Sequence, residues 1–480
     1  MMNFNQPVFD VERLDALLAE GDFQQLKQEL LLILKDASGV DWIFLLDKYI
    51  YSFSEEDIIG TPQFTTFAAV SAALKGDFGK AREYARLLGS NLLLSHYINV
   101  YMPYTDNKTF RHSITYLNNT ENFHAAFSSN RPSVINGLRD FTFYGKVLEP
   151  MERPLKKTLY EMYGTPSIGM YEVALSEYYY QTNKCYEALA LVDSVIEDLQ
   201  SYGNASVLQA ALFVQLSVFI IKGQAKKLQP LIDDFEFKIA KVNYSLYPNY
   251  IEALRAWCAI YEGDFERCEH WLDSNAPQDI ENITLMDIFN IMVKLRVLLQ
   301  LGRYYLLISI AVRLIPLLES WHRIMDTCEA NLLYAMALFS DGNPQKAYEI
   351  LDHTLPIVKR FHYYRLVADE GQKMFNMLRL YKKSRNINDF FLDMLISLSK
   401  GTGLMYPHYL KTLSESYPSL TDTEKSVLRL MADERSNADI ADYMSVSINT
   451  VKFHSKNIFT KLNVNNRHQA IKIAMEANII

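Results

Sequence analysis

The sequence predicts an all-α protein: a superhelix of stacked helix pairs followed by a small four-helix domain. Three observations carry this. Glycine and proline are scarce, 18 and 15 in 480 residues, which disfavours a turn-rich β fold. Turn residues recur between apolar helix-length stretches at a nearly constant interval. Residues 419–480 then change character, with capping residues setting off short helices and a lysine-bearing one. A chain this long, 49 % hydrophobic, has ample material for two or three cores or one long array.

Residues 1–170 read as an irregular helical region, expected to form part of the array. Gly21-Asp22-Phe23 and Gly76-Asp77-Phe78 resemble the later turns, but they lie 55 residues apart and the next marker is 107 further on. The stretch RPSVINGLRDFTFYGKVLEPMERP, inside 110–164, clusters proline and glycine and reads as an irregular excursion.

Residues 171–398 hold the repeats. TNKCYEAL, KGQAKKL, EGDFERC, LGRYYLL and DGNPQKA mark the turns at Asn183, Gly223, Gly263, Gly302 and Gly342, with intervals of 40, 40, 39 and 40. Glycine or asparagine there supplies the left-handed residue that closes a helix. Asp264 can cap the following helix and Pro344 suits a first helical turn. Five positions on, Ala188, Cys268 and Ala347 would let antiparallel helices approach closely, although Leu228 and Leu307 break that pattern. A two-helix unit of this size cannot bury its apolar face alone, so neighbours stack. Such arrays commonly offer a concave binding surface. Around residue 400 the period lapses, and SKGTGLMYPHYLKTLSESYPSLT predicts a linker over 399–418.

Residues 419–480 form the last unit. Thr421 and Glu424 are spaced as a capping box, Ser436 and Ser447 can cap a second and a third helix, and Asn466 can open a fourth. Ser445-Val446 makes a tight turn, and Asn463 suits a left-handed helix end. A short helix, a tight turn and a longer cationic helix make a helix-turn-helix, whose second helix enters the major groove.

Charge says which part could meet nucleic acid. Residues 419–480 carry eight Lys and Arg against seven Asp and Glu, leaving 40 against 49 for the rest, in a chain of net charge −8. A body that acidic repels a phosphate backbone, so only the tail could approach one. No apolar run spans a membrane, since 304–318 is broken by Arg313 and Pro316, and the start has no export signal, so a cytoplasmic home is expected. Cys185, Cys258, Cys268 and Cys328 show no metal spacing and are expected to be reduced. Gly76-Asp77-Phe78-Gly79-Lys80 fails as a phosphate loop, because its second glycine comes too early and Ala81 replaces Ser or Thr. No catalytic constellation is visible, so neither an enzyme nor a cofactor is expected.

The stretch LTDTEKSVLRLMADERSNADIADYMSVSINTVKFHSKNIFTKLNVNNRHQA resembles the LuxR-type helix-turn-helix without a gap. It departs from that pattern at Thr423, where the family usually has arginine, and at Glu434-Arg435, where it usually has glycine before Ser-Asn. The repeats resemble the tetratricopeptide class, and more closely the array of MalT-like regulators, but without the ATPase those usually carry. The resemblance implies a bacterial transcription regulator, an activator rather than a repressor, acting through RNA polymerase. Lys452 and Lys456 would project into the major groove. Phe453 could meet a thymine methyl, and Asn437, Asn449, Thr450, His454 and Lys461 would contact the DNA as well, chiefly at phosphates. Val451, Ile458 and Leu462 would be the buried face. The fourth helix, with Ala470, Ile473 and Ala474, would be the dimer surface for a homodimer on double-stranded DNA. An unknown inducer or partner protein would bind the array. The alternative from another class is an interaction scaffold acting through the repeats alone.

Overall fold

The computed structural model describes residues 10–36, 43–89, 92–102, 105–121, 131–137, 139–202, 205–240, 248–278, 283–410, 420–433, 435–462, 464 and 466–476. Every regular element among these residues is helical. None of the helices is long and apolar enough to cross a membrane.

The five turn residues do what their chemistry allows. Asn183, Gly223, Gly263, Gly302 and Gly342 have φ of 65°, 69°, 71°, 72° and 85°. The next residue's N–H then reaches back to a carbonyl of the preceding helix, as Lys184 to Tyr179 and Asn343 to Leu338, both at 2.8 Å. This satisfies carbonyls that the helix end would otherwise leave open. Asp264 accepts from the N–H of Arg267 at 3.0 Å, and Pro344 begins its helix. Ala188, Leu228, Cys268, Leu307 and Ala347 are all fully buried, so the position five beyond the turn is a core position whatever its size.

The first helices of the pairs are Met170–Gln181, Ala205–Ile221, Pro248–Glu262, Ile288–Gln300 and Ile324–Ser340. Their partners are Cys185–Tyr202, Leu228–Ala240, Phe265–Ser274, Tyr304–Ser320 and Pro344–Phe361. A sixth pair follows, Gly371–Arg385 and Phe390–Met405, closed by Asn386 at φ 51°. The same hairpin appears before the repeats. Gly21 separates Val11–Glu20 from Phe23–Asp36, and Gly76 separates Pro62–Leu74 from Phe78–Leu87. At Gly76, φ is +78° and a Cβ would fall 2.2 Å from the indole nitrogen of Trp321, so only glycine fits between the two regions. Asp77 accepts from the N–H of Lys80 at 3.0 Å, which makes the GDFGK stretch a capped helix turn.

The predicted linker needs correction. Residues 399–410 belong to the array: the helix runs to Met405, and Ser399, Thr402, Tyr406, Tyr409 and Leu410 are buried. Gly401 and Gly403 suggested a break, but Gly403 marks a close approach, where a Cβ would meet the backbone nitrogen of Gln372 at 2.7 Å. Residues 411–418 of that stretch lie outside the described residues.

The excursion over 110–164 is only partly irregular, since the helices Asn107–Glu121 and Glu152–Tyr163 bracket it. Residues 131–137 and 139–141 form a strap against the inner helices. Glu177 accepts from the N–H groups of Val134 at 2.6 Å and Ile135 at 3.4 Å, and from the Ser133 hydroxyl. Arg323 donates to the carbonyls of Asn136 and Gly137 and pairs with Asp326 at 2.7 Å. Arg131 reaches Glu329 at 2.5 Å and Asp326 at 3.3 Å. From the other side, Tyr409 stacks on Tyr261, with ring centroids 4.0 Å apart, and donates to Glu370 at 3.1 Å. Ile288–Gln300 is buried along its whole length, charged Lys294 and Arg296 included.

Residues 420–474 build a second core, separate from that of the array. A chain ending at Leu410 is therefore expected to fold with unchanged helicity per residue, read by circular dichroism. One ending at Leu398 loses Tyr406 and Tyr409 from the core and should unfold at a lower denaturant concentration. Equal midpoints would contradict this boundary.

Candidate nucleic-acid interface

Four helices make the C-terminal unit: Asp422–Ala432, Asn437–Met444, Ile448–Lys461 and Arg467–Glu476. Each start is set locally. Thr421 accepts from the N–H of Glu424 at 3.3 Å, while Glu424 accepts from the N–H of Thr421 at 2.7 Å. Ser436 forms a second capping box with Asp439, a pairing that sequence reasoning missed although S-x-x-D stands at 436–439. Ser445 closes the second helix in the left-handed region at φ 54°, and Ser447 accepts from the N–H of Thr450 at 3.1 Å. Asn466 caps the fourth helix by accepting from the N–H of Gln469 at 2.9 Å. Asn463, assigned to a left-handed helix end on sequence grounds, and Glu434, one of the departures from the family pattern, lie outside the described residues.

The third helix is held by one face. Val451, Ser455 and Ile458 are buried, and Leu462 just beyond the helix is too. The opposite face carries Asn449, Lys452, Phe453 and Lys456, all exposed, with Phe453 at 61 %. Lys452 and Lys456 stand one turn apart, about 6 Å along the axis. Among the described residues neither forms an ion pair with a carboxylate. Thr450 and His454 are half-buried on the flanks; Thr450 shares a hydrogen bond with the Ser447 hydroxyl, and the His454 ring sits 5.8 Å from that of Phe453. Asn437 is half-buried at the start of the second helix.

Residues 418–474 match the family model of bacterial regulatory proteins of the luxR family, and residues 160–384 match that of the MalT-like TPR region. The chain joins a LuxR-family helix-turn-helix to a MalT-like repeat region. It is also similar to curated proteins described as response regulator protein VraR from Staphylococcus aureus strains Mu3, NCTC 8325 and COL. Identity is 36 % over 95 residues, 18 % of this chain, which spans 46 % of the length of those relatives.

Two predicted roles in the LuxR-type domain change. Ala470 and Ala474 are fully buried in its own core, so their side chains cannot form a dimer surface; Ile473 is half-buried. Small residues on the fourth helix serve its close packing on Asp422–Ala432. Lys461 donates to the buried Glu424 carboxylate at 2.7 Å, tying the end of the third helix to the start of the first. Burial alone would raise the Glu424 carboxyl. The Lys461 hydrogen bond and the Thr421 N–H outweigh it and hold the group below the usual glutamate range. Arg467 is likewise structural, donating to the carbonyls of Met431 at 2.7 Å and Arg435 at 2.6 Å.

Sequence reasoning also missed Tyr443 and Ile448, which stand 66 % and 46 % exposed beside the turn. Arg435 lies over the Tyr443 ring at 4.7 Å. The available signal was their position off the stripe formed by Ile440, Ala441, Val451 and Ile458.

Proposed function

We propose that this chain is a transcriptional activator whose repeat array senses an inducer or a partner protein and governs DNA binding by the third helix of the LuxR-type domain. The observation that carries the reading is the split of that helix. Val451, Ser455 and Ile458 anchor one side, while Asn449, Lys452, Phe453 and Lys456 stand free on the other. Lysine can meet guanine O6 and N7 or a phosphate, and Phe453 offers an apolar edge for a thymine methyl. Thr450, Asn437 and His454 flank this face and suit phosphate contacts that set register. Lys461 contributes mainly through Glu424.

A domain with so small a positive charge binds non-specific DNA weakly, because phosphate neutralisation supplies most of that affinity. Two copies on a two-part operator would compensate. The homodimer contact falls on the outer side of the fourth helix, around Ile473. Activation through RNA polymerase follows the family resemblance. An inducer can shift the chain toward its DNA-competent arrangement only by its differential affinity for the two.

The test is retention of genomic DNA fragments on the full chain at about 50 and about 200 mM salt. Enrichment of particular fragments that falls steeply with salt is the expected result. Failure to retain DNA at the lower salt would transfer the reading to a scaffold.

A further inference from the structure

Between the helices Asn107–Glu121, Glu152–Tyr163 and Met170–Gln181 lies a cavity of about 230 Å³. Phe110, Phe141, Leu148, Leu159, Met162 and Met170 line it, and Val134 and Ile135 of the strap form one side. Protein interiors hold few voids larger than a water molecule, because the side chains around a void forfeit dispersion contacts. The pocket opens to solvent beside the exposed Asn107 and Arg111, and its apolar depth is a poor place for water, which needs several polar partners. Several of the polar groups that line it are already engaged: Asn107 donates to the Tyr144 hydroxyl, Tyr171 donates to the Leu148 carbonyl at 3.0 Å, and Arg111 pairs with Glu161 at 2.6 Å. The one charged side chain on the lining, Arg111, is thus already neutralised by Glu161.

We propose that this cavity is an effector site for a small uncharged apolar molecule. An engineered apolar cavity of roughly 150 Å³ accepts a single benzene ring. The larger space here suits two fused or linked rings, or a chain of eight to ten carbons. The proposal rests on reading the array as a sensor, and the strap gives it a physical consequence. Val134, Ile135 and Phe141 touch the cavity, while Arg131 at the strap's start belongs to a continuous chain of bonds: Arg131 to Glu329, Glu329 to Arg296, Arg296 to Glu370, Glu370 to Tyr409. Tyr409 lies at the end of the array, and residues 411–419 separate it in sequence from the LuxR-type domain. An occupant that shifts the strap thus acts on the group at the array's exit.

The test uses the full chain and 1-aminonaphthalene, a neutral molecule of two fused rings whose fluorescence brightens and shifts to the blue when it leaves water. A saturable one-to-one rise in fluorescence is expected. Leu155→Trp and Leu159→Trp, which fill the cavity from half-buried positions, should each weaken binding at least tenfold. Val312→Trp, on an exposed part of the array, should leave it unchanged. Should either filling variant lower the thermal midpoint, Thr158→Trp at the half-buried edge decides in its place. No saturable rise, or full affinity in the well-folded filling variants, overturns the site. Binding is read without DNA, so either outcome leaves the assignment of Lys452 and Lys456 standing on its own test.

Discussion

Alanine in place of Lys452 is expected to weaken binding to an enriched DNA fragment by about 1–3 kcal/mol, roughly five- to 150-fold, if the ammonium reads a base edge. Lys456→Ala should cost a similar amount. Both lysines are exposed on a helix whose opposite face holds the fold, so far-UV circular dichroism and thermal midpoint should not move. Fluorescence anisotropy over a series of salt concentrations separates the two possible roles. A lost base contact relaxes preference at one position of the site. A lost phosphate contact weakens all sequences alike and reduces the salt slope by about one. Lys461→Ala supplies the contrast. It strips the pairing from Glu424, which is 3 % exposed, and should lower the stability of the small domain before it touches DNA affinity. Unaltered affinity in both the Lys452 and Lys456 variants would remove the third helix from the groove.

How much of this was legible in the sequence follows from the kind of interaction involved. The repeat turns were readable because a left-handed residue between two helices nearly demands glycine or asparagine, and the spacing of Asn183 to Gly342 repeats that demand. Caps were readable for the same local reason: Thr421, Ser436 and Ser447 satisfy N–H groups within their own first turn. Asn386 escaped because it comes 44 residues after Gly342 and carries no glycine. The residues taken as linker illustrate the opposite error. Gly403 reads as a breaker, whereas its missing side chain admits the backbone of Gln372, a contact no local pattern reveals. Ala470 and Ala474 fail similarly, since small apolar residues suit a dimer seam and a tight internal packing equally well. The buried charges were the least legible. Arg296 in IFNIMVKLRVLLQ interrupts a helix apolar all round, and that interruption was the only sign that a partner must exist inside.

Removing the carboxylate of Glu329 should destabilise the array by about 3–5 kcal/mol, the range expected when one member of a buried ion pair is deleted. Glu329 is 5 % exposed and accepts from Arg131 at 2.5 Å and Arg296 at 2.6 Å. Burial alone would raise its carboxyl, but the two guanidiniums outweigh it and hold the group down at about 2. Because that value lies below the unfolded one, the contribution is present above about pH 4.5 and is lost as the pH falls toward 2. In Glu329→Ala, Arg131 and Arg296 each lose a close carboxylate partner, retaining the longer contact to Asp326 and the pairing with Glu370 respectively, with both side chains only 10 % exposed. Glu329→Gln preserves volume and one acceptor and should cost less. An exposed pair such as Lys156 and Glu152 should contribute little by the same measurement. Urea unfolding followed at two probes makes the result specific. The transition of the array should move, and that of the LuxR-type domain, whose core is separate, should not. A loss below about 1 kcal/mol in Glu329→Ala would mean that water or neighbouring groups relax around the arginines. The strap would then be no clamp, and the bonded route from the cavity wall to Tyr409 would lose its physical basis.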